Sequence, residues 1–328
     1  MKRFSTLLGL ILFVILFSTT ELQAKRRTTD TNGDGKLRVL AIGNSFSDDA
    51  MEYLPSFVDN LECEHFELAR LYIGGCSLER HVREYRQGNA SYQFYHYDYD
   101  AYEPESDKIH EWKKDSELRT MEYVLKMGEW DIITMQQASH DSGQYESYQP
   151  HLQRLIDVVK QAQPQARLAW HMTWSYSTNS THGSFPRYDK DQMKMYNAIC
   201  NCVEQLKADA DEIDIIIPSG SMIQSLRASA VNNTPFDLTR DGYHMGHGIG
   251  RYAVACLWYE ALVKPYTNRS MKGNTLRVSK GLVAVSDIVA AYCQIAAETA
   301  VRKPMEIFPI KGAEKLASKF SDDIDIIQ

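Results

Sequence analysis

From residue 37 onward, short apolar runs alternate with stretches of helical spacing. The runs at 37–43, 66–73, 131–136, 167–174 and 213–217 have strand length and are nearly continuous in apolar residues. Between and after them, apolar positions recur at three- and four-residue steps over 48–60 (Ala50, Met51, Leu54, Phe57, Val58), 118–127, 150–162, 188–206, 246–263 and 280–300. Strands without an exposed polar face must be buried on both sides. Their alternation with helices predicts an α/β fold, a three-layer α/β/α sandwich around a five-stranded parallel sheet with right-handed crossovers. In such sheets a site forms beyond the carboxyl ends of the strands.

Four segments break this rhythm. Residues 1–24 carry Lys2 and Arg3, an apolar run at 7–17 and a small residue at Ala24. This is the pattern of a cleaved secretory signal peptide, and the run is short for a membrane span. It predicts a periplasmic or extracellular protein without stable membrane insertion after cleavage. Residues 25–36 read as a linker. Inside them Asp30-Thr31-Asn32-Gly33-Asp34-Gly35 matches half of a calcium loop, but the twelfth position is Ala41 where a bidentate Glu is needed. The main domain then runs over 37–302. Within it 85–117 is rich in tyrosine and charge and predicts an insertion, irregular or a hairpin near the site; Asn89-Ala90-Ser91 in it matches a glycosylation sequon. Residues 303–328 form a C-terminal extension without an evident role.

Composition narrows the function. The net charge of -7 gives no electrostatic reason to bind nucleic acid. None of the six cysteines falls in a CxxC, and a domain of this size packs without staples, so mostly free, buried thiols are expected. The ten histidines show no tight metal-ligand spacing such as HExxH, so no metal or other cofactor is called for.

The chemistry lies in two places. Gly43-Asn44-Ser45-Phe46-Ser47 falls where the first strand ends and the first helix begins. A serine there projects at the sheet edge with its amide at a helix start, which favours a developing oxyanion. Equally, Ser45 or Ser47 can be a plain helix cap. Arg240-Asp241-Gly242-Tyr243-His244 comes late in the chain. Three residues apart on a loop, Asp241 and His244 can meet, and a nucleophilic serine needs such an oriented base.

Together GNSFS and DGYH resemble the SGNH (GDSL-type) hydrolase superfamily. Several longer segments resemble a branch of secreted bacterial SGNH-like proteins catalogued as a domain of unknown function: LAIGNSFSDDAMEYLP, LYIGGCSLERHV, WDIITMQQASHDSG, LAWHMTWSY and RDGYHMGHGIGRYAVACLWYEAL. The resemblance implies a flavodoxin-like fold and ester hydrolysis through an acyl-enzyme, without a metal. It implies Ser45 as nucleophile, His244 as base and Asp241 as its orienting carboxylate. It also implies an oxyanion hole from the amides of Ser45 and Gly75. The third block departs from the superfamily's G-x-N-D. Gln136-Gln137-Ala138-Ser139 looks more like the Q-G-E-S of sialate O-acetylesterase-type relatives. A glutamine amide can donate as asparagine does, which puts Gln137 first and Gln136 second as the remaining oxyanion donor.

Around the expected mouth stand His140 and, after the fourth strand, Trp174 and Tyr176. The two aromatics are either sugar-binding rim residues or core, and Trp170 is more readily core. The reading is a secreted serine esterase acting on a small acyl ester, above all an acetylated glycan. A lipase or thioesterase of the same chemistry and a non-catalytic glycan-binding protein of the same fold are the alternatives.

Overall fold

The computed structural model describes residues 29–61, 63, 65–101, 112–278 and 284–320, with the backbone of 326–327. The signal peptide expected at 1–24 lies outside the described residues, as do the ends of the expected linker (25–28), part of the insertion (102–111) and part of the extension.

The sheet has seven strands, not five: β1 (Leu37–Gly43), β2 (Phe66–Tyr72), β3 (Gln93–Asp98), β4 (Lys113–Lys114), β5 (Ile132–Met135), β6 (Arg167–His171) and β7 (Ile213–Ile217), in the order β4-β3-β2-β1-β5-β6-β7. The five runs read from the sequence are β1, β2, β5, β6 and β7, and these pair in parallel. The other two come from the insertion. β3 adds antiparallel to β2, and β4 antiparallel to β3. Of the two options read for 85–117, the antiparallel pair β3–β4 is the hairpin; an outer strand with a covered neighbour on one side needs no continuous apolar run, so tyrosine and charge left the choice open in the sequence.

The successive residues Val39, Leu40 and Ala41 of β1 are all fully buried. That is the mark of a strand covered on both faces. Helices Ser45–Met51, Ile249–Trp258, Ser219–Arg227 and Asp287–Arg302 pack on one another, while Leu78–Gln87, Met121–Lys126 and His151–Ala162 pack together as a second set. The five parallel strands follow the flavodoxin-like order, with the chain leaving β1 to β2 on one side and adding β5 on the other. The crevice of that reversal lies at the carboxyl end of β1, where Ser45 stands.

Local chemistry shifted some boundaries. The stretch read as one helix at 48–60 is two, Ser45–Met51 and Leu54–Asn60, with Pro55 in the first turn of the second. The helix read from 188 begins at Gln192, because the Asp191 carboxylate caps the amides of Met193 and Lys194. The helix read over 246–263 is regular only over Ile249–Trp258 and widens into a π-turn at Tyr259–Val263.

The described part of the expected linker is docked. Asp131 Oδ1 accepts from the Thr31 amide at 2.7 Å and its Oδ2 from the Arg38 amide at 2.8 Å. Asp30 accepts from the amides of Gly33 and Gly35 at 2.6 and 2.8 Å. The calcium-like motif is thus a self-capped turn. All six cysteines are unpaired, five of them buried.

Candidate active site

At the carboxyl end of β1 the space beside Gly43 is filled by the Ser47 side chain. A Cβ on Gly43 would stand 2.3 Å from Ser47 Oγ. Asn44 then caps the helix, its Oδ1 accepting from the Phe46 amide at 3.0 Å. Ser47 is 4% exposed, and its hydroxyl donates to the Asn44 carbonyl at 2.8 Å. With the cap supplied by Asn44 and Ser47 turned inward, Ser45 is left partly exposed, its Oγ 2.8 Å from His244 Nε2.

His244 is held by its own loop. Asp241 Oδ1 accepts from the amides of Tyr243 (3.2 Å) and His244 (2.8 Å). Its Oδ2 lies 2.6 Å from His244 Nδ1. Burial pushes the Asp241 carboxyl up, but the hydrogen bonds from the His244 ring and amide outweigh it, and the net direction is down. It therefore stays ionised, and an ionised partner accepts the Nδ1 proton and leaves Nε2 to face the serine. Gly242 takes φ +95°, and a Cβ there would meet Ser180 Cα at 2.9 Å.

Trp174 and Tyr176 are not rim residues. Both are fully buried. Trp174 stacks on Phe46 with centroids 4.3 Å apart, and its Nε1 donates to the Tyr243 carbonyl at 2.7 Å. One ring thus braces Phe46 beside Ser45 and Tyr243 beside His244. Tyr176 shares a hydrogen bond with Ser139 Oγ at 3.0 Å. Trp170 is core, as read from its strand. Partly exposed beside the triad are His140, 3.3 Å from Asp141, and His182, whose ring lies 4.9 Å from that of Tyr243. Burial and the neighbouring His140 and His244 hold the His182 pKa below its usual value.

On the oxyanion side, Gly75 follows β2 on the same sheet edge, exposed and at φ +60°, with no hydrogen bond to its amide among the described residues. The loop is tied to the nucleophile turn by Asn44 Nδ2, which donates to the Cys76 carbonyl at 3.0 Å. The donor role expected for Gln137 does not fit. Its Nε2 donates to the Ser147 carbonyl and hydroxyl at 3.1 and 3.0 Å, which takes both amide protons. Its Oε1 accepts from the amides of Leu78 and Ala138. Gln136, 1% exposed, donates instead to Asn44 Oδ1 at 2.7 Å.

Behind Gln136 runs a buried chain whose direction is fixed by the backbone. The Phe46 amide and Cys76 carbonyl set which end of Asn44 is oxygen. Gln136 must then donate to that oxygen, so its own Oε1 accepts from His171 Nδ1 at 2.7 Å. His171 Nε2 in turn accepts from Ser219 Oγ at 2.9 Å. Burial pushes the His171 pKa down to about 3, so the ring is neutral.

A family model for the domain of unknown function DUF4886 matches residues 38–292. The chain belongs to the DUF4886 family. A DUF4886 protein from Bacteroides uniformis ATCC 8492, solved by crystallography, is 36% identical over 84% of this chain and 98% of its own, with a TM-score of 0.72. A candidate SGNH hydrolase from Slackia heliotrinireducens is 18% identical over 69% of this chain and 98% of its own, with a TM-score of 0.45. A candidate GDSL-like lipase from Parabacteroides merdae ATCC 43184 is 11% identical over 70% and 96%, with a TM-score of 0.44. No curated protein matches the chain.

In this DUF4886 domain the sequence named the three members of the Ser45–His244–Asp241 chain and overlooked what holds them. The cap read for Ser45 or Ser47 belongs instead to Asn44, which its side-chain type and place at a strand end also allow. The bracing role of Trp174 and the inward chain through Gln136, His171 and Ser219 carried no sequence signal, because each depends on contacts between distant strand ends.

Proposed function

We propose that this DUF4886 protein is a serine hydrolase of SGNH type that cleaves small acyl esters, O-acetyl groups on carbohydrate above all, after export from the cytoplasm. The observation that carries the reading is the continuous Asp241–His244–Ser45 chain, with contacts of 2.6 and 2.8 Å and a serine that is partly exposed.

The steps follow from that geometry. Ser45 Oγ attacks the acyl carbon while its proton passes to His244 Nε2. The charged ring is stabilised by Asp241. The oxyanion meets the amides of Ser45 and Gly75. His244 returns the proton to the leaving alcohol oxygen, and the acyl group stays on Ser45. A water then gives a proton to His244 and attacks the acyl carbon. Collapse frees the acid and returns that proton to Ser45 Oγ.

The groups beside His244 support a polar substrate over a long acyl chain. His140, Asp141, His182 and Tyr243 are partly exposed and polar or polar-tipped. Export rests on the leader pattern of residues 1–24. Released acetate from a panel of acetylated glycans, compared with long-chain p-nitrophenyl esters, tests the substrate. Faster turnover of the long-chain esters would move the reading to a lipase. No turnover of any ester, with Ser45 inert to a fluorophosphonate, would leave a glycan-binding protein. N-terminal sequencing of the exported form tests cleavage after Ala24.

A further inference from the structure

The short contact between Ser45 and His244 joins residues 199 positions apart. Something must hold the two segments together before the serine and the ring can meet. One turn beyond Ser45, on the same helix, Asp49 is completely buried. Residues four apart lie on one face of a helix, so Asp49 points toward the same loop as the nucleophile. Its Oδ2 accepts from the amide of Met245 at 2.8 Å, the residue after the base. Its Oδ1 accepts from Arg240 Nη1 at 2.8 Å, the residue before Asp241. Arg251 Nε, from the helix that follows the loop, donates to the same oxygen at 2.8 Å.

The loop is closed by the same residues. Arg240 donates its amide to the His244 carbonyl at 2.9 Å and its guanidinium to the Met245 carbonyl. Thr239 and Met245 form an antiparallel bridge. Asp241 and His244 therefore sit in a small ring of chain whose two ends are gripped by one carboxylate. That carboxylate is rigidly attached to the nucleophile's helix. The catalytic contact and the Asp49 contacts are two ties between the same two segments, one helical turn apart. Two ties remove the rotation that a single contact would leave free.

Resting on Ser45 and His244 as nucleophile and base, we propose that Asp49 is the positioning residue of this site, acting with Arg240 to set the distance between serine and imidazole. Neither faces the substrate in this role. Displacing reacting groups by about 1 Å costs roughly 100-fold in rate, and that is the size of effect expected.

The test measures labelling of Ser45 by a fluorophosphonate, with the site mapped by mass spectrometry, alongside ester hydrolysis. Wild type, Asp49→Asn, Arg240→Met and His244→Ala are compared, with Asp49→Asn and Arg240→Met also made in the His244→Ala background. Folding is followed by circular dichroism. Asp49→Asn and Arg240→Met are expected to slow labelling and lower kcat by about 100-fold. KM should change by less than about twofold, since only the chemical step is affected. In the His244→Ala background the same changes should cause no further loss, because their effect passes through the ring. Wild-type labelling rates in folded Asp49→Asn would overturn the proposal. So would an undiminished further loss in the His244→Ala background, which would mean that the residue acts through the fold alone. If Asp49→Asn does not fold, Arg240→Met decides, since that side chain is 31% exposed and lies at the margin of the cluster. Failure of the wild type itself to label at Ser45 is a distinct result; it removes the nucleophile assignment and the positioning role with it.

Discussion

Two turns at the same edge of the sheet carry polar residues of similar promise, and they end in opposite states. After β1, the Asn44 side chain is taken by the Phe46 amide, the Cys76 carbonyl and Gln136, Ser47 donates to the Asn44 carbonyl, and Ser45 is left over, facing His244 at 2.8 Å. After β5, Gln136 and Gln137 are both 1% exposed, and the polar ends of Gln137 are fully engaged. The first turn is built to leave a hydroxyl unspent. The second spends its amides on structure. Whether a polar residue at a strand end can do chemistry is decided by what its neighbours already take from it.

The comparison can be broken at its strong end first. Ser45→Ala should lower p-nitrophenyl acetate hydrolysis on the order of 10⁶-fold, to background, with an unchanged circular dichroism spectrum. Equal rates in the two proteins would end the assignment. Next, Asp241→Asn should reduce kcat by roughly 10⁴-fold, because an amide no longer holds the ring in the tautomer that accepts from serine. A loss under tenfold would place the orienting group elsewhere.

The second turn should respond in stability and hardly in rate. Gln137→Ala leaves the amides of Leu78 and Ala138 and the Ser147 carbonyl without a partner. Unsatisfied buried groups of this kind cost about 1–3 kcal/mol, to be read from urea unfolding. In the folded protein kcat should fall less than tenfold, whereas loss of a true oxyanion donor costs roughly 100- to 1,000-fold. A 100-fold loss of kcat at full stability would restore Gln137 to the site.

An effect confined to acid pH, and absent at neutral pH, concerns the chain behind Gln136. His171 is buried and its pKa is pushed down from 6.5 to about 3. Between those values the unfolded chain binds a proton that the folded chain refuses, so stability is lost as the pH falls through this window. The contribution approaches about 1.4 kcal/mol per pH unit. Buried His81, also pushed down to about 3, adds a second contribution of the same sign. His171→Gln should flatten the slope of unfolding free energy against pH by about one such contribution. An unchanged slope between about pH 4 and 6 would show that this ring titrates freely.

Much of the architecture was legible because burial on both faces forces nearly continuous apolar strands, as in β1, β5 and β6, while the outer strand β7 keeps an apolar run although only Ile213 and Ile217 in it are buried. β3 was left undecided, within a segment read as irregular or a hairpin, for the converse reason. It adds antiparallel at the outer side of β2 and carries residues such as Gln93, His96 and Asp98. The triad was legible because half of it is local: Asp241 and His244 need only a tight loop to meet. The oxyanion donor and the rim were misread for one shared reason. Type and position show that Gln137 can donate and that Trp174 can stack, but not that Ser147 and Phe46 already receive them.

The sequence by itself determined the strand–helix alternation and singled out Ser45, Asp241 and His244 by type and spacing. These are properties of short stretches, set by periodicity, side-chain type and local backbone freedom. Only the tertiary structure decided which donors remain free, which aromatics face inward, and how a carboxylate on the nucleophile's helix grips the loop of the base. Hydrogen bonds saturate, and burial is a property of the whole packed chain. Their allocation therefore exists only once distant segments have met.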